Sequence, residues 1–265
     1  MEEKLKRIED LIENKNYEGA LELCDEVLAQ DSNCAEGYFL RGKINSLLEK
    51  YNEAIENYTH AIELNPEHFK AYSNRGLAKK ELGDIEGALQ DYNKAIELEP
   101  NFSFAYNNRA FVKMLLKNYK STIEDCNKAI ELNPDVYQAY YIRAGANVEL
   151  KDYYGAILDC DKTIELNSEC FEAYYIRATA KYYLKDYNSA ISDCDKAIEL
   201  NPECSEAYCC RASSKYYLKD YNSAIEDYNK TLELDPKYEF VHILKAKCYF
   251  KLKQYKKFIL SIFEK

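Results

Sequence analysis

An arginine recurs every 34 residues along this chain, as Arg41, Arg75, Arg109, Arg143, Arg177 and Arg211. Tyr38, Tyr72, Tyr106, Tyr140, Tyr174 and Tyr208 keep the same period, and so do Leu64, Leu98, Leu132, Leu166, Leu200 and Leu234. Pro66, Pro100, Pro134, Pro202 and Pro236 hold one further phase, with Ser32 and Ser168 in the gaps. No insertion breaks the register. A fixed period of this length means that each repeat is one supersecondary unit, which buries its apolar face only by stacking on its neighbours. The phase divides the 265 residues into repeats 1–34, 35–68, 69–102, 103–136, 137–170, 171–204 and 205–238, with a partial repeat 239–265, read as a single solenoid.

Within a repeat the apolar spacing is helical. Tyr174, Ala178 and Tyr182 lie four apart on one face of a first helix, and Ala190, Cys194, Ala197 and Ile198 mark a second. Between them Leu184-Lys185-Asp186-Tyr187 is long enough only for an antiparallel hairpin. Asp152, Asp186 and Asp220 suit the start of the second helix, where a side-chain oxygen accepts from unpaired N–H groups. Proline then closes the repeat, because its ring cannot continue a helix. Small residues recur where helices must approach closely: Ala20, Ala54, Ala88, Ala156, Ala190 and Ala224 at one position, and Gly42, Gly76, Ala110, Ala144, Ala178, Ala212 and Ala246 at another. Only 8 Gly and 5 Pro in the whole chain leave too few turn formers for a many-stranded β fold.

This pattern, Tyr followed four residues later by Gly or Ala and then by Tyr, Ala, Ala and Pro, resembles the tetratricopeptide repeat over essentially the whole chain. The resemblance implies an all-α, right-handed superhelical solenoid of tandem helix–turn–helix repeats, with first helices lining a groove that takes an extended peptide or a partner helix. Two departures are regular. Arginine stands where the family usually has leucine, and tyrosine replaces the tryptophan often found three residues earlier.

The arginines read as structural. Asp91, Asp125, Asp159, Asp193 and Asp227 follow Arg75 to Arg211 at a constant offset of 16, and Asn57 follows Arg41. That offset puts a carboxylate on the second helix opposite each arginine of the first. Most of the 26 tyrosines fall on packing positions of the repeat. By the resemblance, the positions that face the groove include Phe39, Phe104, Phe111, Tyr141, Tyr175, Tyr183 and Tyr217 as aromatic anchors, with Asn74 and Asn108 as amides for a peptide backbone. Lys43 and Lys70 stand there against Glu36, Glu81, Glu149, Glu172 and Glu206, for a mildly acidic groove. The clamp by which some family members hold a chaperone's C-terminal carboxylate is not matched. Its positions carry Phe39, Ser73, Asn107, Tyr141, Tyr175 and Cys209, and Asn74, Asn108, Ile142, Ile176 and Cys210, so only scattered members such as Asn74 and Lys70 are present.

Other functions find little support. A net charge of −10 argues against a phosphate-backbone binder, and no apolar run approaches the length of a membrane span. The start Met1-Glu2-Glu3-Lys4 does not resemble a secretory signal, so the ten cysteines read as reduced thiols of a cytoplasmic protein. Neither a CxxC pair with histidines, nor a phosphate loop, nor a nucleophile–base pattern occurs, so no metal, no cofactor and no enzyme activity is expected. The expected function is that of a non-catalytic scaffold or adaptor for proteins and peptides. Two alternatives stay open. Residues 1–34 carry ten acids and four bases, whereas 239–265 carry seven lysines and two glutamates, and the last helix presents Ile259, Leu260, Ile262 and Phe263. Such ends allow weak head-to-tail self-association through the terminal helices. The chain also suits the recognition arm of a multidomain enzyme.

Overall fold

The computed structural model describes residues 1–258; the apolar run of Ile259, Leu260, Ile262 and Phe263 lies outside the described residues. The described residues contain helices and turns and no strand. The chain divides into two compact units, Met1–Pro134 and Asp135–Lys265. The first holds α1 (Glu2–Glu13), α2 (Tyr17–Gln30), α3 (Ala35–Leu47), α4 (Tyr51–Leu64), α5 (Phe69–Glu81), α6 (Ile85–Leu98), α7 (Ser103–Leu115) and α8 (Tyr119–Leu132). The second holds α9 (Tyr137–Glu149), α10 (Tyr153–Leu166), α11 (Phe171–Tyr183), α12 (Tyr187–Leu200), α13 (Ser205–Tyr217), α14 (Tyr221–Leu234) and α15 (Glu239–Lys251). Odd-numbered helices are the first helices of their repeats and even-numbered ones the second.

Each hairpin is closed by a pair of backbone hydrogen bonds. In repeat 171–204 the Lys185 N–H reaches the Tyr182 carbonyl and the Asp186 N–H reaches the Lys181 carbonyl, both at 2.9 Å. This is a helix stop that needs a left-handed residue at its first position, usually glycine. Here Gly83 serves once, and Lys15, Glu49, Lys117, Lys151, Lys185, Lys219 and Lys253 adopt positive φ between 57° and 69° at the equivalent sites. Asp186 then caps the following helix, as the spacing predicts, and so do Asp152 and Asp220; their carboxylates accept from Ser189, Gly155 and Ser223 backbone N–H groups respectively. Between repeats, the side chains of Asp31, Asn65, Glu99, Asn167, Asn201 and Asp235 each accept from the N–H two residues on, at 3.0–3.1 Å for most and 2.9 Å for Asp235.

In each unit the first helices pack on one another, α1 on α3, α3 on α5 and α5 on α7, and likewise α9 on α11, α11 on α13 and α13 on α15. Among the described residues the second helices touch only first helices. The first helices are therefore the tighter, inner layer of each unit. Close packing of the second helices against the first relies on small residues: Ala20, Ala54, Ala88, Ala156, Ala190 and Ala224, all on second helices, are fully buried. Volume is balanced across the hairpin. A Cβ on Gly42 would come within 2.7 Å of the Tyr58 ring, and one on Gly76 within 3.1 Å of Tyr92. Where alanine occupies that position, as at Ala110, Ala144 and Ala178, the partner shrinks to Cys126, Cys160 and Cys194, all buried. Ala212 with Tyr228 departs from the rule, and nothing in the structure explains how both fit.

The arginine series forms a polar seam between layers. Arg75, Arg109, Arg143, Arg177 and Arg211 each bind their partner aspartate through Nε and Nη2, at 2.5–2.9 Å. The aspartate side chains are only 5–9% exposed. Arg41 instead donates to Asn57 at 2.6 Å. The remaining Nη1 of Arg41, Arg75, Arg109, Arg177 and Arg211 reaches backward to Asp25, Thr59, Asn93, Asp161 and Asp195, on the second helix of the preceding repeat. One guanidinium thus ties together three helices, which explains why arginine, with its fork of donors, holds this position. The tyrosine three residues earlier lies 5.3–5.6 Å from each guanidinium.

Candidate functional site

The first-helix face of each unit carries cavities, and the candidate residues distribute among them. In the first unit Lys43 and Asn74 line one cavity of about 220 Å³ with Ser46, Leu47, Tyr51 and Tyr58. Burial pushes the Tyr58 hydroxyl up to about 12, against hydrogen bonds from Ser46 and Asn74. Lys70 lines a second, more polar cavity with Glu36, His68 and Phe69. There His68 Nε2 lies 3.3 Å from Glu36 Oε2, while its Nδ1 accepts from the Ala71 N–H and caps α5. Phe104 is 58% exposed and has Phe102 at 6.1 Å. Asn108 accepts from Asn107 at 3.5 Å, and the Phe111 ring has the Lys80 ammonium 5.0 Å from its centre. Phe39 is placed differently from these: it is 7% exposed and belongs to the core, with its ring against Tyr58 and His68. Its neighbour Gly42 makes room for Tyr58, and Phe39 fills the space beside that ring.

In the second unit the tyrosines dominate. Tyr141 and Tyr175 are half-buried beside Tyr137 and Phe171, each pair 6.4 Å apart. Burial, followed by the nearby Glu172 carboxylate, raises the Tyr141 hydroxyl above its ordinary value. Burial and then Glu206 do the same for Tyr175. Tyr183 and Tyr217 are 52% and 54% exposed. Each lies flat against the tyrosine that opens the preceding repeat's second helix: Tyr183 on Tyr153 and Tyr217 on Tyr187, both at 5.0 Å, with interplanar angles of 14° and 4°. Each outer ring has a second tyrosine beside it as well, Tyr182 at 5.4 Å from Tyr183 and Tyr216 at 5.5 Å from Tyr217, and still keeps half of its surface exposed.

Two cavities adjoin these rings. One, of about 310 Å³, is lined by Tyr182, Tyr183, Glu206, Cys209, Tyr238 and Phe240 among others. The other, of about 300 Å³, is lined by Tyr182, Tyr216, Tyr217, Tyr228 and Lys247 among others. They share Tyr182, Ser213 and Leu244 in their walls, so they adjoin one another along α11, α13 and α15. Tyr182 sits at the junction, 5.4 Å from Tyr183 and 5.9 Å from Tyr217. Ser213, Leu244 and Lys247 were not singled out by sequence reasoning. The doubled tyrosines Tyr182-Tyr183 and Tyr216-Tyr217, in the same phase of successive repeats, are the signal that would have found this wall.

Residues 69–102, 103–136, 171–204 and 205–238 match the tetratricopeptide repeat profile. These segments make up more than half of the chain. The chain belongs to the tetratricopeptide repeat family. Residues 46–83 match a second profile, described as a TPR repeat. No curated protein matches the chain. Among solved structures, it is similar to a tetratricopeptide repeat protein from Parabacteroides merdae ATCC 43184, with TM-score 0.66 and 22% identity over 93% of this chain and 98% of that one. It is also similar to a chain of the APC/C hetero-tetramer Cut9-Hcn1, with TM-score 0.71 and 17% identity over 94% of this chain and 49% of the other. A third similar structure is YrrB, described as a TPR protein with an unusual peptide-binding site, with TM-score 0.57 and 23% identity over 72% of this chain and 98% of that one. At these identities the likeness is one of fold, an all-helical solenoid of tandem TPR repeats.

Proposed function

We propose that this protein is a non-catalytic adaptor that binds an extended segment of a partner protein along its first-helix face. The observation that carries the reading is the adjoining pair of cavities along α11, α13 and α15, walled by tyrosines of which Tyr183 and Tyr217 are half exposed. Large, stiff aromatic side chains with one polar atom give contact area at small entropic cost. In the second unit the side chain of Ser213 supplies a polar group for a peptide backbone; the first unit has its own such groups in the amides of Asn74 and Asn108, with Lys43, Lys70, Phe104 and Phe111 on its first helices. The unbroken 34-residue register supports one repeat array with the eight divisions given above. The reading needs no nucleic acid, membrane or cofactor, and places the protein in the cytoplasm; among the described residues no helix is long and apolar enough to cross a membrane, and all ten cysteines are free.

The test is selection of short peptides from a random display library on the whole chain, followed by titration of the winners against wild type and Tyr141→Ala/Tyr175→Ala. Melting and helicity of the variant are measured first. The reading expects loss of at least about tenfold in affinity, about 1.4 kcal/mol. Winners that bind the folded variant as tightly as wild type would remove function from this face.

A further inference from the structure

The charges on the inner helices of the second unit are not balanced on that face. Arg143, Arg177 and Arg211 are held by Asp159, Asp193 and Asp227. Lys181 and Lys215 bind the last two of these carboxylates at 2.7 and 2.8 Å. All five cations of α9, α11 and α13 are thus committed to second helices. The carboxylates of the same three helices are Glu149, Glu172 and Glu206, and among the described residues none of them has an ion-pair partner. Glu206 accepts from Ser205 at 3.2 Å and Cys204 at 3.7 Å and is also hydrogen-bonded by the Tyr238 hydroxyl, and Glu172 accepts from Cys170 at 3.4 Å. Each lies beside aromatic rings. Glu206 lines the cavity of Tyr182, Tyr183, Tyr238 and Phe240. Burial, then the neighbouring Tyr153 and the Glu149 carboxylate, raise the Tyr183 hydroxyl above its ordinary value.

A half-exposed tyrosine ring that shares a cavity with a carboxylate lacking an ion pair, as Tyr183 does with Glu206, attracts one kind of group: a cation with a flat or apolar body. The ring quadrupole and the carboxylate act in the same direction, and a guanidinium satisfies both by stacking on the ring while donating to the acid. We infer that the α9–α11–α13 face binds arginine- or lysine-bearing segments, with a cationic side chain seated between the exposed ring of Tyr183 and the carboxylate of Glu206 in the cavity they share, and with Glu149 and Glu172 adding negative charge on the same helices. This rests on the peptide-binding reading above and names the chemistry of the peptide. Lys247, exposed in the adjoining cavity along α15, sets the limit of the acidic stretch, so the cations belong on the α9 to α13 side. The first unit is of opposite character: Lys43 and Lys70 have no ion-pair partner among the described residues, so the preference for cations is a property of the second unit.

Three labelled peptides of alternating arginine, serine and glycine test this by fluorescence anisotropy on the whole chain. One carries arginine, one carries citrulline, which keeps the shape and loses the charge, and one carries glutamate. The arginine peptide is expected to bind about tenfold or more tighter than the citrulline peptide, and the glutamate peptide not at all. Glu172→Gln/Glu206→Gln, nearly isosteric, and Tyr183→Ala/Tyr217→Ala, at half-exposed positions, should each reduce arginine-peptide affinity several-fold. Glu18→Gln/Glu22→Gln on α2 removes the same charge elsewhere and should leave it unchanged. Equal binding of the arginine and citrulline peptides, or an equal loss in the α2 variant, would overturn the inference, the latter by showing diffuse attraction to an acidic protein. If library peptides still depend on Tyr141 and Tyr175 while arginine and citrulline do not differ, the adaptor reading stands and this inference alone falls.

Discussion

Asp193 is a demanding place to perturb the polar seam. Its carboxylate is 8% exposed and takes three donors: Arg177 Nε at 2.9 Å, Arg177 Nη2 at 2.6 Å and Lys181 Nζ at 2.7 Å. Replacing it with alanine leaves two cations facing a small void. Lys181, 21% exposed, loses its partner, and Arg177, 18% exposed, keeps only Asp161, whose side chain is 51% exposed. Breaking a buried pair from one side costs about 3–5 kcal/mol, because the desolvation of the remaining charge is no longer offset. Asp161→Ala removes a solvated partner and should cost about 0–1 kcal/mol. The repeats themselves suggest a sharper control. In repeat 35–68 the same positions are Asn57 and Asn45, with no lysine, and Arg41 still binds Asn57 at 2.6 Å. Asp193→Asn alone should therefore be costly because Lys181 is stranded, whereas Asp193→Asn/Lys181→Asn should recover most of the loss. A repeat array need not unfold as one unit, so the readout is amide hydrogen exchange of α11 and α12, with urea melting as a second measure. The reasoning is refuted if Asp193→Ala costs no more than Asp161→Ala, or if the double variant is less stable than Asp193→Asn.

Other predictions follow from the same geometry. Lys185→Gly removes a side chain from a left-handed position with φ of 67°, and thermal melting should show a net stabilisation of about 0.5–1 kcal/mol after the added freedom of the unfolded chain. Gly42→Ala places a methyl group 2.7 Å from the Tyr58 ring; it should destabilise by about 1–3 kcal/mol, and Tyr58→Cys should rescue it, as the Ala178–Cys194 pair shows. Burial pushes the thiols of Cys24, Cys170, Cys204 and Cys209 up to about 12. Mass spectrometry after a pulse of iodoacetamide at pH 8 should find these four largely unmodified in the folded chain and modified in urea.

The repeat made much of this legible in advance. A constant offset of 16 was enough to pair Arg177 with Asp193, because hairpin geometry fixes which second-helix residue lies opposite. It could not show that the third donor points back to Asp161, since that contact depends on how successive repeats pack. The caps Asp152, Asp186 and Asp220 followed from short-range chemistry. The left-handed lysines did not, because only Gly83 carries the usual signature of that turn and the helix stop imposes the strain on Lys185 regardless. At the candidate site, the period identifies which residues lie on the inner face but not how deeply each sits. Phe39 and Tyr183 both belong to first helices, yet the ring of Tyr58 closes over one and only Tyr153 stacks on the other. Lys247 and Leu244 escaped notice because their contribution arises from the meeting of three helices, not from a position within one.

The most direct test is a calorimetric titration of a library-selected peptide into three proteins: wild type, Tyr183→Ala/Tyr217→Ala on the inner face, and Tyr154→Ala/Leu158→Ala. Tyr154 and Leu158 are 71% and 70% exposed on the second helix α10, so their removal takes away as much accessible apolar surface from the opposite layer. An inner-face site predicts about tenfold weaker binding or worse for the first variant and wild-type binding for the second. The reverse order would place the site on the outer helices and contradict the proposed function.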